Sequence, residues 1–598
     1  MVSELLCLQH PCSLFNKPST FYTPHKHNDR HGSAMTFKVW CSATTQNSQL
    51  TINRRSANFQ PTTWNYDTLQ SLTNAQLDEE YESRGKKLEE KVRGMLNNEK
   101  TELLSILELI DDIQRLGLGY RFKKDIKKAL DRIDMSWDDN VKEENRLHAT
   151  ALRFRLFRQH GYNISQDVFK TFVDHKGNYM PCFKKDVKGL ISLYEASYLA
   201  FEGEYLLEDA QKFAKTHLIE LKTNTDPVTS ELITQTLGLP LQRKIERLEA
   251  RCYIESYSKR YDANYLLVEL SQLDFNRVQS IYQKDAKDMT RWWEEVDLAS
   301  KLTFARDRLM ECYFWAVGMA PEPQFRNCRK VVTKMFAFVT TIDDIYDVYG
   351  TLDELELFTE AVERWDLNCV NELPDYMKLC FLALYNSVNE MGYETLKEYG
   401  VNSIPYLTKA WADLCKAFLQ EAKWIYNKYT PTFEEYLDNA WRSSSGPLLL
   451  VHSYFSLNKS ITKEGLDYVE KYHNLLRWPS IIFRLCNDLS TSKDELERGE
   501  TASSILCYMK ETGASEEIAC EEIWKLIDKT WREMNKDATD KPPLPEAFVE
   551  TAINLARISH CQYQHGDGHG APDGTAKNRV LSIIINPISV LEPKVASQ

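Results

Sequence analysis

Three aspartates follow an apolar stretch near the middle of the chain. Residues 336–342 are mostly apolar, and Asp343, Asp344 and Asp347 come directly after them. On an α-helix Asp343 and Asp347 share one face, with Asp344 displaced by about 100°. Burying such carboxylates without counter-ions costs several kcal/mol per charge, and Mg²⁺ bound between carboxylates and a substrate phosphate removes that cost. The cluster indicates a divalent-metal site, although a solvated acidic helix end would show the same residues.

A second set of oxygen-bearing side chains lies further along the chain. Asn487, Thr491 and Glu495 are spaced four residues apart, so on one helix their side chains form a single stripe. An amide, a hydroxyl and a carboxylate together offer the oxygen ligands that a divalent ion requires. Helix capping or a surface position could explain any one of these residues, but it explains all three together poorly. The stripe therefore predicts a second metal site.

Arginines accompany both acidic sites. Arg306 and Arg308 flank Asp307 and precede the aspartates, and Arg484 lies shortly before Asn487. A guanidinium group is permanently charged, and its forked donors match phosphate oxygens. An isolated Arg-Asp-Arg sequence is often part of a surface ion-pair network. Combined with two metal sites, however, the three arginines describe a diphosphate held between metal ions and guanidinium groups.

Other chemistries and partners find little support in the sequence. Phosphate-binding-loop, dinucleotide-binding and serine-nucleophile motifs are absent. The Gly-Asp-Gly between His565 and His569 favours a mobile lid over a metal site. A net charge of −13 argues against nucleic acid as the main partner, and no apolar run approaches the ~20 residues that span a bilayer. The 14 cysteines are scattered, which favours free thiols in a reducing compartment.

The elements that must position these residues are helices. Apolar residues recur at spacings of three and four from about Trp64 onward, whereas strict alternation and hairpin turns are scarce. One such stripe comprises Leu103, Leu104, Leu107, Ile110, Ile113 and Leu116. The pattern predicts an all-α protein. Because 598 residues exceed what one core usually organises, we expect two helical domains, 54–262 and 276–598, with a boundary near the polar residues 258–264 and the chemistry in the second.

The first 50 residues differ in composition from the rest. They contain basic residues such as Lys17, Lys26 and Arg30 against only Glu4 and Asp29, with many Ser, Thr, His and Asn. This acid-poor, hydroxyl-rich composition without a long apolar core is typical of a transit peptide. We therefore expect residues 1–50 to direct the protein to the plastid stroma. A disordered N-terminus with no targeting role is the alternative.

Four elements of the sequence resemble those of plant class I terpene synthases, specifically the angiosperm monoterpene and hemiterpene group, over essentially the whole chain. They are Arg54-Arg55 with Trp64, Arg306-Asp307-Arg308, Asp343-Asp344-x-x-Asp347, and the N-D-x-x-T-x-x-x-E element that starts at Asn487. The resemblance implies an N-terminal α-barrel domain joined to a C-terminal metal-binding α-bundle. It also implies a lyase, monomeric or homodimeric, that acts on a short allylic diphosphate. The N-terminal domain would have no chemistry of its own, with Arg54 and Arg55 covering the catalytic mouth.

The resemblance also assigns roles to individual residues. Two Mg²⁺ ions would bind Asp343, Asp344 and Asp347, and a third would bind Asn487, Thr491 and Glu495, with Mn²⁺ able to substitute. Arg306 and Arg484 would hold the diphosphate, while Trp315 would offer its ring to the allylic cation. The D-x-D-D motif of protonation-initiated cyclases and the second aspartate-rich motif of chain-elongating prenyltransferases are both absent. The absence of the first implies that the N-terminal domain has no chemistry of its own, and the absence of the second favours ionisation and elimination over condensation.

The length of the substrate depends on a smaller set of positions. Isoprene synthases carry Phe at the positions of Phe336 and Phe483, Ser at that of Ser444 and Asn at that of Ser503, and this chain keeps the first three. Two phenylalanines would shorten the pocket to fit five carbons, which predicts isoprene from dimethylallyl diphosphate; ordinary core packing of both rings is the alternative. Ocimene, myrcene or another monoterpene from geranyl diphosphate is the second interpretation. A helical scaffold without catalysis is the third.

Overall fold

The computed structural model describes residues 54–72, 79–136, 142–457, 460–497 and 502–590. The predicted transit peptide, residues 1–50, lies outside these ranges. Across the described part, helices follow one another with no β-strand, and only isolated bridges such as the one between Val173 and Tyr179 are formed. The all-α prediction is confirmed. No helix in these ranges is both long enough and apolar enough to cross a membrane.

Nine α-helices precede residues 258–264 in the described part of the chain. They are α1 (Tyr66–Ser71), α2 (Glu79–Leu96), α3 (Leu103–Arg115), α4 (Gly119–Ser136), α5 (Arg146–Gln159), α6 (Val187–Ser197), α7 (Tyr205–Lys222), α8 (Pro227–Gly238) and α9 (Glu246–Tyr257). The predicted apolar stripe of α3 is buried, since Leu107, Ile110 and Ile113 have no solvent exposure. These helices enclose two apolar clusters, one built mainly by α2–α5 and the other by α5–α8.

A helix of 32 residues, α10 (Tyr265–Val296), belongs to both halves of the protein. It begins directly after residues 258–264, where the side chain of Asn264 caps its N-terminus. Leu267, near its start, packs into the apolar cluster of α2–α5, whereas Tyr282, further along, packs into the core of the C-terminal half. The two cores therefore meet along one helix.

Fourteen further α-helices follow α10 in the described part. They are α11 (Leu298–Lys301), α12 (Leu309–Met319), α13 (Arg326–Asp344), α14 (Leu352–Arg364), α15 (Asp375–Tyr399), α16 (Ile404–Tyr426), α17 (Phe433–Ser443), α18 (Gly446–Leu457), α19 (Lys463–Glu470), α20 (Asn474–Glu497), α21 (Ser504–Thr512), α22 (Glu516–Thr539), α23 (Glu546–Tyr563) and α24 (Gly574–Val580). The helices that carry the acidic motifs, α13 and α20, both pack against α18 in a single large apolar core.

The break between α17 and α18 lies beside α20. Ser445 has a φ of +66°, a left-handed conformation that is uncommon for any residue except glycine. At Gly446 a Cβ would lie 2.4 Å from the Ser480 hydroxyl, so α18 approaches α20 more closely than a side chain permits. Non-glycine residues in this conformation often lie at ligand-binding positions. The break takes residues 444 and 445 out of regular helix, and Gly446, which follows them, approaches the helix that carries the second acidic motif.

Candidate active site

Residues from both acidic helices surround one cavity. Its empty space is ≈ 550 Å³, part of it open to solvent. The lining residues are Arg306, Phe336, Val339, Thr340, Asp343, Phe418, Ser443, Ser444, Ser445, Phe483, Arg484, Asn487, Tyr563, Asp567 and His569. Seven of them are site residues that the sequence predicts, namely Arg306, Phe336, Asp343, Ser444, Phe483, Arg484 and Asn487. Acidic, basic and aromatic side chains from distant parts of the chain therefore meet at one place.

The three aspartates lie where the helix changes its geometry. α13 ends at Asp344, and Ile345–Tyr349 form a π-helical turn that is closed by a hydrogen bond from Gly350 N to the Ile345 carbonyl oxygen at 2.8 Å. Asp347 therefore lies in a wider turn than the regular helix that the sequence predicts. A glycine is required at position 350, because a Cβ there would lie 2.9 Å from the same carbonyl oxygen. Single π turns of this kind are frequent at functional sites.

Arg306 binds the first two aspartates directly. Its backbone N–H donates to Asp344 Oδ2 at 2.6 Å, and its guanidinium lies 2.5 Å from Asp343 Oδ2 and 2.8 Å from Asp344 Oδ1. Burial raises the pKa of Asp344 to about 6, against the opposing effect of Arg306. The Asp343 side chain is 30% exposed, whereas that of Asp344 is 1% exposed. The guanidinium thus compensates the negative charge of two carboxylates whose oxygens could also bind a cation.

Arg484 is held in place by a buried carboxylate on its own helix. Its Nε lies 2.9 Å from Asp488 Oδ1 and donates to the Tyr436 hydroxyl at 2.7 Å. The Asp488 side chain has no solvent exposure, and it also accepts hydrogen bonds from the Tyr436 hydroxyl and from Ser504 N. Because Asp488 is engaged on several sides, it fixes the base of the Arg484 side chain while the guanidinium lines the cavity.

The other members of the second acidic motif follow Asn487 along α20. Asn487 is half-buried and lines the cavity. Thr491 is buried, and its hydroxyl donates to the carbonyl oxygen of Asn487 at 3.0 Å. The side chain of Glu495 lies outside the part of the chain that the structure describes. The predicted stripe of ligands therefore begins at the cavity wall and runs along one helix.

The three side chains of the Arg-Asp-Arg element contact different partners. While Arg306 reaches the aspartates, Asp307 accepts hydrogen bonds from the Tyr66 hydroxyl at 2.7 Å and from the Trp293 indole at 3.1 Å. Arg308 is 3% exposed, and its guanidinium donates to backbone carbonyl oxygens. Arg308 is not among the residues that line the cavity, although the sequence groups it with the diphosphate-binding arginines.

Aromatic rings form the apolar part of the cavity wall. The ring centroids of Phe336 and Phe483 lie 6.4 Å apart, and Tyr563 lies 6.2 Å from Phe483. Trp315 is completely buried behind them, with its ring 5.1 Å from Phe336 and 4.6 Å from Phe483. Trp315 does not line the cavity, so its contribution is to support the two phenylalanines that do.

The serines that the sequence links to substrate length take two different positions. Ser444 lines the cavity, and its hydroxyl donates to the Trp441 carbonyl oxygen at 2.8 Å. Ser503 lies away from the lining and caps α21, where its hydroxyl accepts the N–H of Leu506. Asparagine and serine cap helices about equally well. Serine at position 503 therefore serves the helix cap, and it is not among the residues that line the cavity.

Several lining residues are missed by the sequence reasoning. Val339 and Thr340 follow Phe336 by three and four residues, so helical periodicity could have identified them. Phe418 and Tyr563 come from distant helices, and no local sequence pattern marks them.

His569 also lines the cavity. Its ring stacks on Phe336 at 4.9 Å and contacts the Thr340 hydroxyl at 3.0 Å, and burial keeps the pKa of the imidazole well below its ordinary value. The imidazole is therefore neutral at physiological pH.

Two family models match the chain. The model of the terpene synthase N-terminal domain matches residues 63–237, and that of the terpene synthase family metal binding domain matches residues 294–533. The chain belongs to the terpene synthase family. The lining residues from Arg306 to Asn487 fall within the metal binding match, whereas Tyr563, Asp567 and His569 follow it along the chain. The protein is accordingly an enzyme, a lyase of the terpene synthase class.

Relatives of this terpene synthase are similar over nearly its whole length. The chloroplastic isoprene synthase of Populus alba is 54% identical and covers 99% of this chain and 100% of its own. The chloroplastic myrcene synthase of Quercus ilex is 51% identical over 90% of each chain. A crystal structure of isoprene synthase from grey poplar leaves, in complex with three Mg²⁺ ions and dimethylallyl-S-thiolodiphosphate, has a TM-score of 0.83 at 55% identity, covering 89% of this chain and 100% of that one.

Proposed function

We propose that this terpene synthase converts dimethylallyl diphosphate into isoprene in the plastid. The observation that carries the proposal is the aromatic wall of the cavity, where the rings of Phe336 and Phe483 lie 6.4 Å apart and Trp315 packs behind both. The charged residues Arg306 and Asp343 belong to the same cavity. With a diphosphate at the charged part, the two phenylalanine rings would limit the length of the hydrocarbon. The similarity to chloroplastic isoprene synthases supports both the product and the compartment.

The donor set of the cavity fits divalent cations. Asp343 keeps a partly exposed carboxylate at the cavity, and Asn487 adds an amide oxygen from another helix. Hard oxygen ligands of this kind suit Mg²⁺, with Mn²⁺ as a substitute. We propose that Asp343, Asp344 and Asp347 hold two Mg²⁺ ions and that Asn487, Thr491 and Glu495 hold a third. When bound, these ions neutralise the charge that develops on a departing diphosphate.

The protein's own residues would carry out the remaining tasks. Arg306 and Arg484 bind diphosphate oxygens while the bond between C1 and oxygen breaks and its electron pair leaves with the diphosphate. The rings of Phe336, Phe483 and Tyr563 exclude water, and a ring that faces the allylic cation stabilises it by ~0.5–2 kcal/mol. Loss of a methyl proton then gives the diene, and the departing diphosphate is the proposed acceptor. The N-terminal half, residues 54–262, supplies no group to the breaking of the C1–oxygen bond or to the loss of the proton.

A monoterpene synthase that uses geranyl diphosphate is the second candidate. The observation in its favour is the 51% identity to the myrcene synthase of Quercus ilex, only slightly below the 54% identity to the isoprene synthase of Populus alba. Both candidates share the same ionisation chemistry and differ only in the length of hydrocarbon that the aromatic wall admits. Product analysis therefore separates them.

The test supplies Mg²⁺ with either dimethylallyl or geranyl diphosphate to the purified full chain and analyses the headspace. We expect isoprene from dimethylallyl diphosphate, with a kcat/KM well above that for geranyl diphosphate. A monoterpene formed from geranyl diphosphate with the higher kcat/KM would overturn the proposal in favour of the second candidate. No product from either substrate would overturn both candidates.

Arg306 is expected to affect metal binding and substrate binding in opposite directions. Replacing it by glutamine removes the positive charge that lies within hydrogen-bonding distance of Asp343 and Asp344. Without diphosphate, the variant should bind Mg²⁺ about tenfold more tightly, because a charge that competes with the cation at close range is gone. KM for the diphosphate should rise by about 10- to 100-fold, the usual cost of losing a charge-assisted hydrogen bond. Calorimetric Mg²⁺ titration and steady-state kinetics measure the two effects.

Arg364 provides the matched control for this experiment. It is a surface arginine on α14 that pairs with Glu360, one turn away on the same helix. Arg364→Gln should change neither Mg²⁺ affinity nor KM. Weaker Mg²⁺ binding in Arg306→Gln would contradict the expectation, because it would mean that the guanidinium supports the ligand geometry more than it competes with the cation.

A further inference from the structure

We propose that Arg308 is a positioning residue that ties an N-terminal segment to a C-terminal loop, and that it thereby keeps water away from the allylic cation. The C-terminal loop lines the cavity, and the Phe59 ring of the N-terminal segment lies 4.7 Å from the guanidinium of Arg306, which lines it too. The N-terminal segment is defined as residues 54–64, and the C-terminal loop as residues 564–573. The effect on the reaction rests on the proposed function, whereas the hydrogen bonds from Arg308 to the two segments are a property of the fold. It gives Arg308 a task distinct from the diphosphate binding that its sequence context suggests.

The hydrogen bonds of Arg308 carry the inference. Its Nη2 donates to the carbonyl oxygen of Gln60 at 2.9 Å and to that of Gly570 at 3.1 Å, and its Nε donates to Gly570 at 3.3 Å. Its Nη1 donates to the carbonyl oxygen of Asp307 at 2.9 Å. Each guanidinium nitrogen is therefore directed at backbone oxygen, and one nitrogen bridges the two segments. A planar fork makes all these bonds only when both segments are in place.

The C-terminal loop is shaped to reach this position. Asp567 accepts the backbone N–H groups of His569 and Gly570 at 3.0 and 2.8 Å, which bends the chain sharply. A Cβ at Gly570 would lie 2.4 Å from the Asp567 carboxylate and 2.9 Å from Arg306 Nη1. A larger residue at position 570 would have to displace the Asp567 carboxylate and the Arg306 guanidinium. The same loop brings Asp567 and His569 to the cavity wall.

The N-terminal segment is anchored on either side of Gln60. Arg54 forms a bidentate pair with Glu354, at 2.9 and 2.8 Å, on the helix that follows the aspartate-bearing π turn. Trp64 donates its indole N–H to Glu311 at 2.9 Å. Between these anchors, the bond from Arg308 to Gln60 joins the segment to the C-terminal loop. Loss of Arg308 should therefore loosen both segments at once and leave their outer anchors in place.

The chemical consequence concerns the fate of the cation. In a dry cavity the dimethylallyl cation loses a methyl proton and gives the diene. If water enters, its oxygen forms a bond to the tertiary carbon of the cation and then loses a proton, which gives a tertiary allylic alcohol and consumes one water. The ratio of alcohol to diene therefore measures how well the two segments exclude water.

The test compares Arg308→Gln and Arg308→Lys with the unchanged protein in two measurements. Amide hydrogen exchange without substrate should become at least tenfold faster in peptides from residues 54–64 and 564–573 together, with the core helices α13 and α20 unaffected. In turnover with dimethylallyl diphosphate and Mg²⁺ in H₂¹⁸O, the alcohol fraction should rise at least fivefold and carry the label. Arg308→Lys keeps the charge but loses the fork, so it should show both effects and guards against misfolding of the glutamine variant.

Two further variants sharpen the result. Gly570→Ala should loosen the C-terminal loop and raise the alcohol fraction while leaving residues 54–64 closer to normal; Arg364→Gln should change nothing. The proposal is overturned if exchange in both segments is unchanged, or if Arg308 variants raise only KM at a constant product ratio, which is the behaviour of a diphosphate ligand. If the unchanged protein gives no diene, the proposed function fails. The hydrogen-exchange measurement still tests whether Arg308 holds the two segments together.

Discussion

Replacing Asp343 by asparagine is expected to lower kcat/KM for the allylic diphosphate by about 10²- to 10³-fold, because one ligand charge that steadies the departing diphosphate is lost. Asp343 is the aspartate of its motif that lines the cavity, and its carboxylate is 30% exposed. Asparagine keeps the shape and removes the charge, so the fold should be preserved. Initial rates measured over a range of Mg²⁺ concentrations should show that the variant also needs more Mg²⁺ for half-maximal activity.

Asp375 provides the matched control for the Asp343 variant. Its side chain is 98% exposed at the start of α15, where it pairs with Lys378. Asp375→Asn should leave kcat/KM and the Mg²⁺ requirement unchanged. If Asp343→Asn kept more than a tenth of the activity with an ordinary Mg²⁺ requirement, Asp343 could not be a metal ligand, and the acidic cluster would be a helix end that Arg306 neutralises.

The fold could be predicted because one physical pattern dominates the sequence. The apolar residues of the stripe that contains Leu107 and Ile110 recur at helical spacing. The burial of such a stripe can be predicted without knowing which helices pack against it. The acidic motifs could be predicted for the same reason, because the spacing of residues along one helix decides which side-chain oxygens share a face. Positions 343 and 487 meet at one cavity because their helices pack against common neighbours, which the sequence of either helix alone does not contain.

The remaining features depend on contacts between distant segments. The π turn after Asp344 requires the close approach at Gly350, and nothing in the local residue types distinguishes it from a continuing helix. Phe418 completes the cavity from α16, and no pattern within its own helix marks it. Residue type alone predicts that Arg308 binds phosphate, yet two of the three carbonyl oxygens that it contacts belong to residues more than 240 positions away, one in each direction. Residue type predicted the chemistry of the site; tertiary contacts decide which residue performs each task.

Replacing Phe336 by alanine is expected to shift the substrate preference toward geranyl diphosphate. Phe336 is 3% exposed, and its ring stands between Trp315 and His569 at the apolar part of the wall. Removing it leaves space for the five further carbons of the longer substrate. At ~0.8 kcal/mol per buried CH₂-sized group, five groups amount to about 4 kcal/mol, or about a thousandfold in the ratio of kcat/KM values when the fit is complete. Competition between the two substrates, with product analysis, measures that ratio.

Phe338, two residues further along the same helix, separates this effect from a general loss of stability. It has no solvent exposure and packs edge-on against Trp292 at 5.7 Å, away from the cavity lining. Both alanine variants should lose about 3–5 kcal/mol of unfolding free energy, because each leaves a hole in the core. Only Phe336→Ala should change the substrate ratio. An unchanged ratio in that variant would show that Phe336 is a core residue whose ring happens to reach the cavity, and the length of the substrate would then be set elsewhere along the wall.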